Sequence, residues 1–323
     1  MSSGQSTNAS SYTLAQIFTL KDNAARPADL KNLRIGDYEV RLFQSVLRQQ
    51  MDLCEDADGN WWLRFFLDSG RPQHLFVRFL DVDVADAMKW SRDKPAHCAA
   101  LMTQLAYTRL TSNPSDTDSS ELQALCSDTS QLVRQSRSVK PDQLYEASTH
   151  YGHVSGRGAQ FISKPVVRHD HQFRRHVLLH TLAYAYLLTF EDLSNAMSQA
   201  LMQKDMSDAQ QAEALRRLYR EVASFDAMSF FHQPVMRSNA STCAAWTRID
   251  SALGITDSHS ELLKQLESVH YICDLEAQRL QEEAEKARSA KEARYTFWLS
   301  ILGLILTVVS GLSAVDTIRG WLP

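Results

Sequence analysis

From His259 to Leu302 the chain contains neither glycine nor proline, and it runs without a turn signal into a charge-free stretch, YTFWLSILGLILTVVSGLSAV, at Tyr295–Val315. At 1.5 Å rise per residue the unbroken part alone is about 60 Å long, more than one small domain can bury. Such a helix is a stalk that must pack on its own body, on copies of itself, or on both. The charge-free stretch has 21 residues. About 20 apolar residues cross a hydrocarbon core, so a transmembrane helix is expected over 295–316, the alternative being a buried helix of a soluble protein. Tyr295, Trp298 and Trp321 bracket it as interfacial aromatics. Lys286, Arg288, Lys291 and Arg294 precede it against Glu292 alone, whereas only Asp316 and Arg319 follow it. The positive side stays inside, so the expectation is a single-pass protein of the inner (plasma) membrane with a cytoplasmic N-terminus.

The stalk, 259–294, carries Leu262, Leu266, Val269 and Cys273 at 4-3-4 spacing, continued more weakly by Leu280, Ala284 and Ala287. Between Glu276 and Arg294 five acids meet five bases, several as Glu then Lys or Arg at i+3 or i+4. In the apolar stretch the same spacing picks out Thr296, Ser300, Gly303, Thr307, Ser310 and Ala314, a face that is entirely small or polar. Small residues let helices approach closely, and hydroxyls can bond across the contact. A 3.5-residue period favours a left-handed bundle. The stripe fits either a dimerising anchor or the lining of a narrow pore in a symmetric ring. With no charge in it, selectivity in such a pore would rest on hydroxyls, carbonyls and width.

The remaining sequence reads as a mixed α+β body. Gly 11, Pro 8 and 9% aromatics exclude collagen-like, disulfide-scaffold and wholly disordered chains. A net charge of −4 argues against nucleic-acid binding by bulk positive charge. Cys54, Cys98, Cys126, Cys243 and Cys273 are odd in number and contain no CxxC pair, which points to reduced thiols. Residues 1–12 are Ser-rich and expected to be disordered, with no basic or apolar segment of a secretory leader. An α/β domain is expected over 13–110, with strands at Tyr38–Phe43, Trp61–Leu67 and His74–Leu80 and a helical pattern from Asp83 past Tyr107, broken at Pro95. A polar linker and helix follow at 111–145, the helix from Glu121 to Ser136. A helical domain then occupies 146–258, beginning with a Gly-containing loop, HYGHVSGRG. Within it Ser207-Asp208-Ala209-Gln210 reads as an N-terminal cap, Pro234 as a stop, and Gly254 as the close of a helix around Trp246–Leu253. The last helix is expected to start at Asp257 or Ser258, and 317–323 forms a short external tail.

Candidate sites are sparse. His169, His171, His176 and His180, with His150 and His153 upstream, form the densest titratable cluster. His176 and His180 stand at i, i+4, a workable metal-ligand spacing, but no HExxH glutamate accompanies them and Arg168, Arg174 and Arg175 would repel a cation. The competing readings are structural histidines, or a helix start at which Arg174 and Arg175 hold an anion. The loop Gly152-x-x-x-Gly156-x-Gly158 lacks the GKS/T ending of a P-loop. Asp81, Asp83 and Asp86 fit a helix cap or a divalent-cation site between subunits. Asp56–Asn60 resembles half a calcium loop but lacks the twelfth-position glutamate and reads as a hairpin turn. No GxSxG, HExxH or Cys-His-Asn arrangement marks an enzyme.

The order of parts, with the stalk, the basic segment and then WLSILGLILTVVSGLSAV in Glu261–Val315, resembles the CorA-type divalent-metal transporters. That resemblance implies a homo-oligomer with a cytoplasmic αβα domain, a membrane helix lining a pore gated by that domain, and a divalent cation as ligand or cargo. The chain departs from the family where its GMN signature would stand, at Ser313-Ala314-Val315-Asp316, and only eight residues remain for a second membrane helix. No filter residue carries over. The expected function is therefore that of a CorA-like homo-oligomeric membrane protein, an ion channel or transporter-like pore gated by its cytoplasmic domain. The alternative is a membrane-anchored binding or scaffold protein.

Overall fold

Strand β1 (Tyr12–Leu20), YTLAQIFTL, is buried from Leu14 to Phe18 and forms the middle of a nine-stranded sheet. The computed structural model describes residues 11–319 apart from 87–88, 90–92, 113–118, 166–169 and 204–206. Antiparallel neighbours β7 (Gln73–Val82) and β8 (Cys98–Arg109) flank β1, with Gln16 opposite Arg78 on one side and Gln104 on the other. Beyond β7 a meander continues through β6 (Trp61–Phe65) and β5 (Asp52–Glu55) to the edge strand β2 (Lys31–Asn32). Beyond β8 come β11 (Gly158–Ser163), β10 (His150–Ser155) and β9 (Tyr145–Glu146). The β8–β11 pair is parallel, and a parallel pair needs a crossover. Helix α2 (Ser119–Arg134) lies within that crossover. A separate two-stranded ribbon pairs β3 (Arg34–Ile35) with β4 (Tyr38–Glu39), and the short helix α1 (Ser45–Gln49) follows.

Both faces of the sheet are covered. On one face Leu125, Cys126, Leu132 and Val133 of α2 pack with Tyr12, Leu14, Ala106 and Ile162. The other receives α3 (Asp170–Met202), whose Phe173 ring lies 5.1 Å from that of Tyr107 and 5.9 Å from that of Phe161. Every α3 residue from His176 to Tyr186 is buried, as in a helix enclosed on all sides. Its outer side meets α4 (Asp208–Met228) and α5 (Ala240–Leu253). Each fully buried Val or Leu of this segment contributes about 1.5–3 kcal/mol.

Local chemistry sets the helix ends. Ser207 accepts from the Gln210 amide while the Gln210 side chain accepts from the Ser207 amide, the reciprocal cap that the sequence spells. Gly254 closes α5 in the left-handed region at φ 65°, and α6 (Ile255–Arg319) begins at the next residue. The Asp250 carboxylate accepts from the Thr256 amide (2.9 Å) and hydroxyl (2.8 Å). His259 Nε2 lies 2.8 Å from Asp226 Oδ1, and the imidazole stacks on Phe230 at 3.8 Å.

The chain divides into two units, 1–264 and 265–323. The second contains the remainder of α6, a helix of 65 residues in all, about 100 Å by rise per residue. Tyr295, Phe297, Trp298, Leu299, Leu302 and Leu304 are exposed along it. Among the described residues no helix is long and apolar enough to cross a membrane. The side chains from 305 onward, and with them most of the Tyr295–Val315 stretch, lie outside those described.

Several expectations are corrected. The pattern from Asp83 past Tyr107 yields a 3-10 turn at Val84–Asp86 and then the long strand β8, not a helix through Tyr107. Tyr38–Phe43 keeps only two strand residues, and Phe43 makes an isolated bridge to Val235. The HYGHVSGRG segment is the β10–β11 hairpin, so one sheet crosses the expected boundaries at 110 and 145, and the region after 146 opens with strands. Tyr12 belongs to β1 rather than to a tail, while residues 1–10 lie outside the described residues.

Candidate functional site

Three segments enclose a cavity of about 240 Å³ in the first unit. The β9–β10 turn supplies Thr149 and His150, the start of α3 supplies Gln172, Arg175 and His176, and the first turns of α5 supply Ser241, Thr242 and Arg248. The turn is closed by the Ala147 amide donating to the His150 carbonyl (2.8 Å). The His150 ring is fixed by stacking on Phe161 at 3.9 Å, with Thr149 Oγ1 3.1 Å from Nδ1 and the Tyr145 hydroxyl 3.3 Å from Nε2. Tyr145 also carries the Arg248 guanidinium over its ring face at 4.3 Å. His176 meets the His150 ring edge-on at 5.1 Å.

The lining contains two arginines and no carboxylate. Among the described residues neither Arg175 nor Arg248 forms an ion pair. Arg174, the adjacent residue, is spent elsewhere: it pairs with Glu55 at 3.1 Å and covers the Phe79 ring at 5.0 Å. The expected Arg174–Arg175 anion pair is thus divided between two cavities, and Arg248 takes the place of Arg174. His176 is 8% exposed and Thr242 4%, and among the described residues neither side chain has a hydrogen-bond partner. These groups can bind a small ligand through donors.

Burial, helped by His150, His180 and Arg248, holds the His176 imidazole well below the ordinary histidine value, and burial brings His180 to about 4. Both are neutral in the folded chain, whereas their unfolded counterparts protonate below about 6.5. Stability from these groups is complete above that pH and declines as pH falls towards 4. His180 alone accounts for a loss of about 2 kcal/mol by pH 5. Urea midpoints at pH 7 and pH 5 measure this, and His180→Leu is expected to shrink the difference, leaving the share that belongs to His176. An unaltered difference would remove His180 as its source.

His176 and His180 do share a helix face, but the His180 Nδ1 donates to the His176 carbonyl (2.8 Å). Among the described residues no group of three His, Cys, Asp or Glu is disposed to hold a metal. His169 lies outside the described residues. Asp83 caps the 3-10 turn by accepting from the Ala85 amide (3.0 Å), and Asp81 accepts from the Thr13 hydroxyl (3.1 Å). Asp56 Oδ1 accepts from the amides of Asp58 and Asn60, and its Oδ2 from Trp62 Nε1, the wiring of a β5–β6 hairpin turn. In the stripe, Thr296 Oγ1 donates to the Glu292 carbonyl and Ser300 Oγ to that of Thr296, each at 2.9 Å. Nothing lies within 4 Å of a Cβ built on Gly303; the side chains of Thr307, Ser310 and Ala314 lie outside the described ones. Cys54, Cys98, Cys126 and Cys243 are free thiols, and burial pushes Cys98 and Cys126 up to about 11.

A second cavity, about 600 Å³, joins Asp81, Tyr107, Arg109, Asp170 and Arg174. Its Tyr107 hydroxyl donates to Asp170 at 2.7 Å, Arg109 donates to the Pro165 carbonyl at 2.6 Å, and Arg174 is held by Glu55. Of the residues in the smaller cavity, Thr242 and Arg248 had no signal of their own in the sequence. The only hint was the Asn239-Ala240-Ser241-Thr242 run at the head of a helix. No known protein family, characterised protein or solved structure matches this chain.

Proposed function

We propose that this is a membrane protein in which the α/β body is carried on α6 and the apolar end of α6 spans the bilayer. The observation that supports this reading most strongly is the exposed run from Tyr295 to Leu304, with Trp298, Leu299, Leu302 and Leu304 open on a helix that continues to Arg319. Large apolar side chains on an isolated helix need a cover, and the charge-free sequence through Val315 suits hydrocarbon. Copies associate through the small-residue stripe Thr296, Ser300, Gly303, Thr307, Ser310 and Ala314, in a build like that of the CorA-type transporters, and the body gates the resulting pore by population shift.

A second reading is favoured by the hydroxyls of Thr296 and Ser300. Both are satisfied by carbonyls of their own helix, so neither needs a water column or a partner helix. The span is then only an anchor for a binding or scaffold body. Native mass spectrometry of the full chain in mild detergent separates the two. The pore reading expects a closed ring of four or more subunits; a monomer or dimer leaves too few helices to enclose a channel and selects the anchor.

A further inference from the structure

We propose that the cavity between the β9–β10 turn, the start of α3 and the first turns of α5 is a binding site for a phosphomonoester group. Among the described residues Arg175 and Arg248 line it without a carboxylate partner, and its lining contains no Asp or Glu. A guanidinium presents a planar fork of donors that matches phosphate oxygens two at a time. Helix α5 has 14 residues, and its N-cap Asn239 makes no side-chain cap bond. The cavity lies along the flank of this helix, where Ser241, Thr242, Ala245 and Arg248 line it.

The independent observation is a pair of orphaned polar side chains. His176 and Thr242 are both more than nine-tenths buried, line the cavity, and have no hydrogen-bond partner among the described residues. Neither residue has a polar atom sealed from solvent without a partner, so both polar groups open onto the cavity, where a bound acceptor can reach them. Two guanidinium forks, a hydroxyl and an imidazole offer more donors than the two oxygens of a carboxylate can accept. A phosphomonoester offers three terminal oxygens and close to two negative charges. The volume of about 240 Å³ is below the range of about 300–1,000 Å³ usual for drug-sized ligands, which suits the phosphate group with a short tail. The site is independent of whether α6 enters a bilayer.

The test is calorimetric titration of the full chain, in mild detergent, with inorganic phosphate and then glycerol phosphate, alongside flotation with vesicles containing phosphatidic acid. Saturable binding of the soluble probes, one per chain, is expected. Arg175→Gln and Arg248→Gln should each weaken it at least tenfold and Thr242→Val severalfold, while Arg157→Gln, in the exposed β10–β11 turn, should leave it unchanged. Arginine-dependent binding to the vesicles alone assigns the same chemistry to a lipid headgroup. Binding to neither probe by the wild-type chain, or equal binding by an Arg175→Gln/Arg248→Gln double variant, overturns the proposal. Thr242→Val preserves shape and charge, so it keeps the test decisive if an arginine variant fails to fold.

Discussion

Alanine in place of Gly158 should unfold the body under conditions where the wild-type chain is folded. Gly158 opens β11 at φ 129°, a region that L side chains rarely adopt. A Cβ there would lie 2.1 Å from the Gln104 carbonyl oxygen and 2.6 Å from Val133 Cγ1. The first obstacle is backbone of the paired strand β8 and the second belongs to α2, so relief of the clash must move the parallel pair or the helix above it. Backbone strain of about 1–3 kcal/mol and overpacking of a similar size add to about 2–6 kcal/mol. That is a large share of the roughly 5–15 kcal/mol that holds a domain together. Thermal or urea unfolding of Gly158→Ala measures it, and a midpoint within error of wild type would show that β11 does not run so close to β8. Gly156, with nothing within 4 Å of an added Cβ, should accept alanine with little loss.

That contrast shows what was legible in the sequence. The glycines of HYGHVSGRG suggested a loop because the parallel partner that gives Gly158 its role lies more than fifty residues earlier, at Gln104. Strand β8 was read as helix for a related reason. CAALMTQLAYTR is built largely of good helix formers, and its residues 103–106 are buried without alternation because α2 and α3 cover both faces of the sheet. Local signals that depend on a few adjacent residues were read correctly: the Ser207–Gln210 cap, the Gly254 close and the unbroken run of α6. The cavity was half legible. Arg175 and His176 announced themselves in a His/Arg cluster, but Arg248 and Thr242 join them only through the packing of α5 on α3. Arg174 does not join them because a helix turns about 100° per residue, which directs it to Glu55 on another wall.

The second large effect concerns the far end of the chain. Leu302→Arg together with Leu304→Arg should release the full chain from membranes while leaving the unfolding of the body unchanged. Both leucines are exposed on α6, in the unit beyond residue 264. In the proposed span they lie near the middle of Tyr295–Val315, where an arginine costs about 3 kcal/mol. Two such changes cost about 6 kcal/mol, enough to shift partition by several powers of ten. Conservative replacement by Ile at the same positions should have no effect on partition. If the arginine pair still integrates, the leucines do not face hydrocarbon.

The central claim, that the end of α6 crosses a bilayer, is tested most directly by extracting membranes that contain the wild-type full chain with alkaline carbonate and floating them on a density gradient. The account predicts that the chain floats with the lipid after extraction. Recovery of the wild-type chain in the soluble fraction would contradict it.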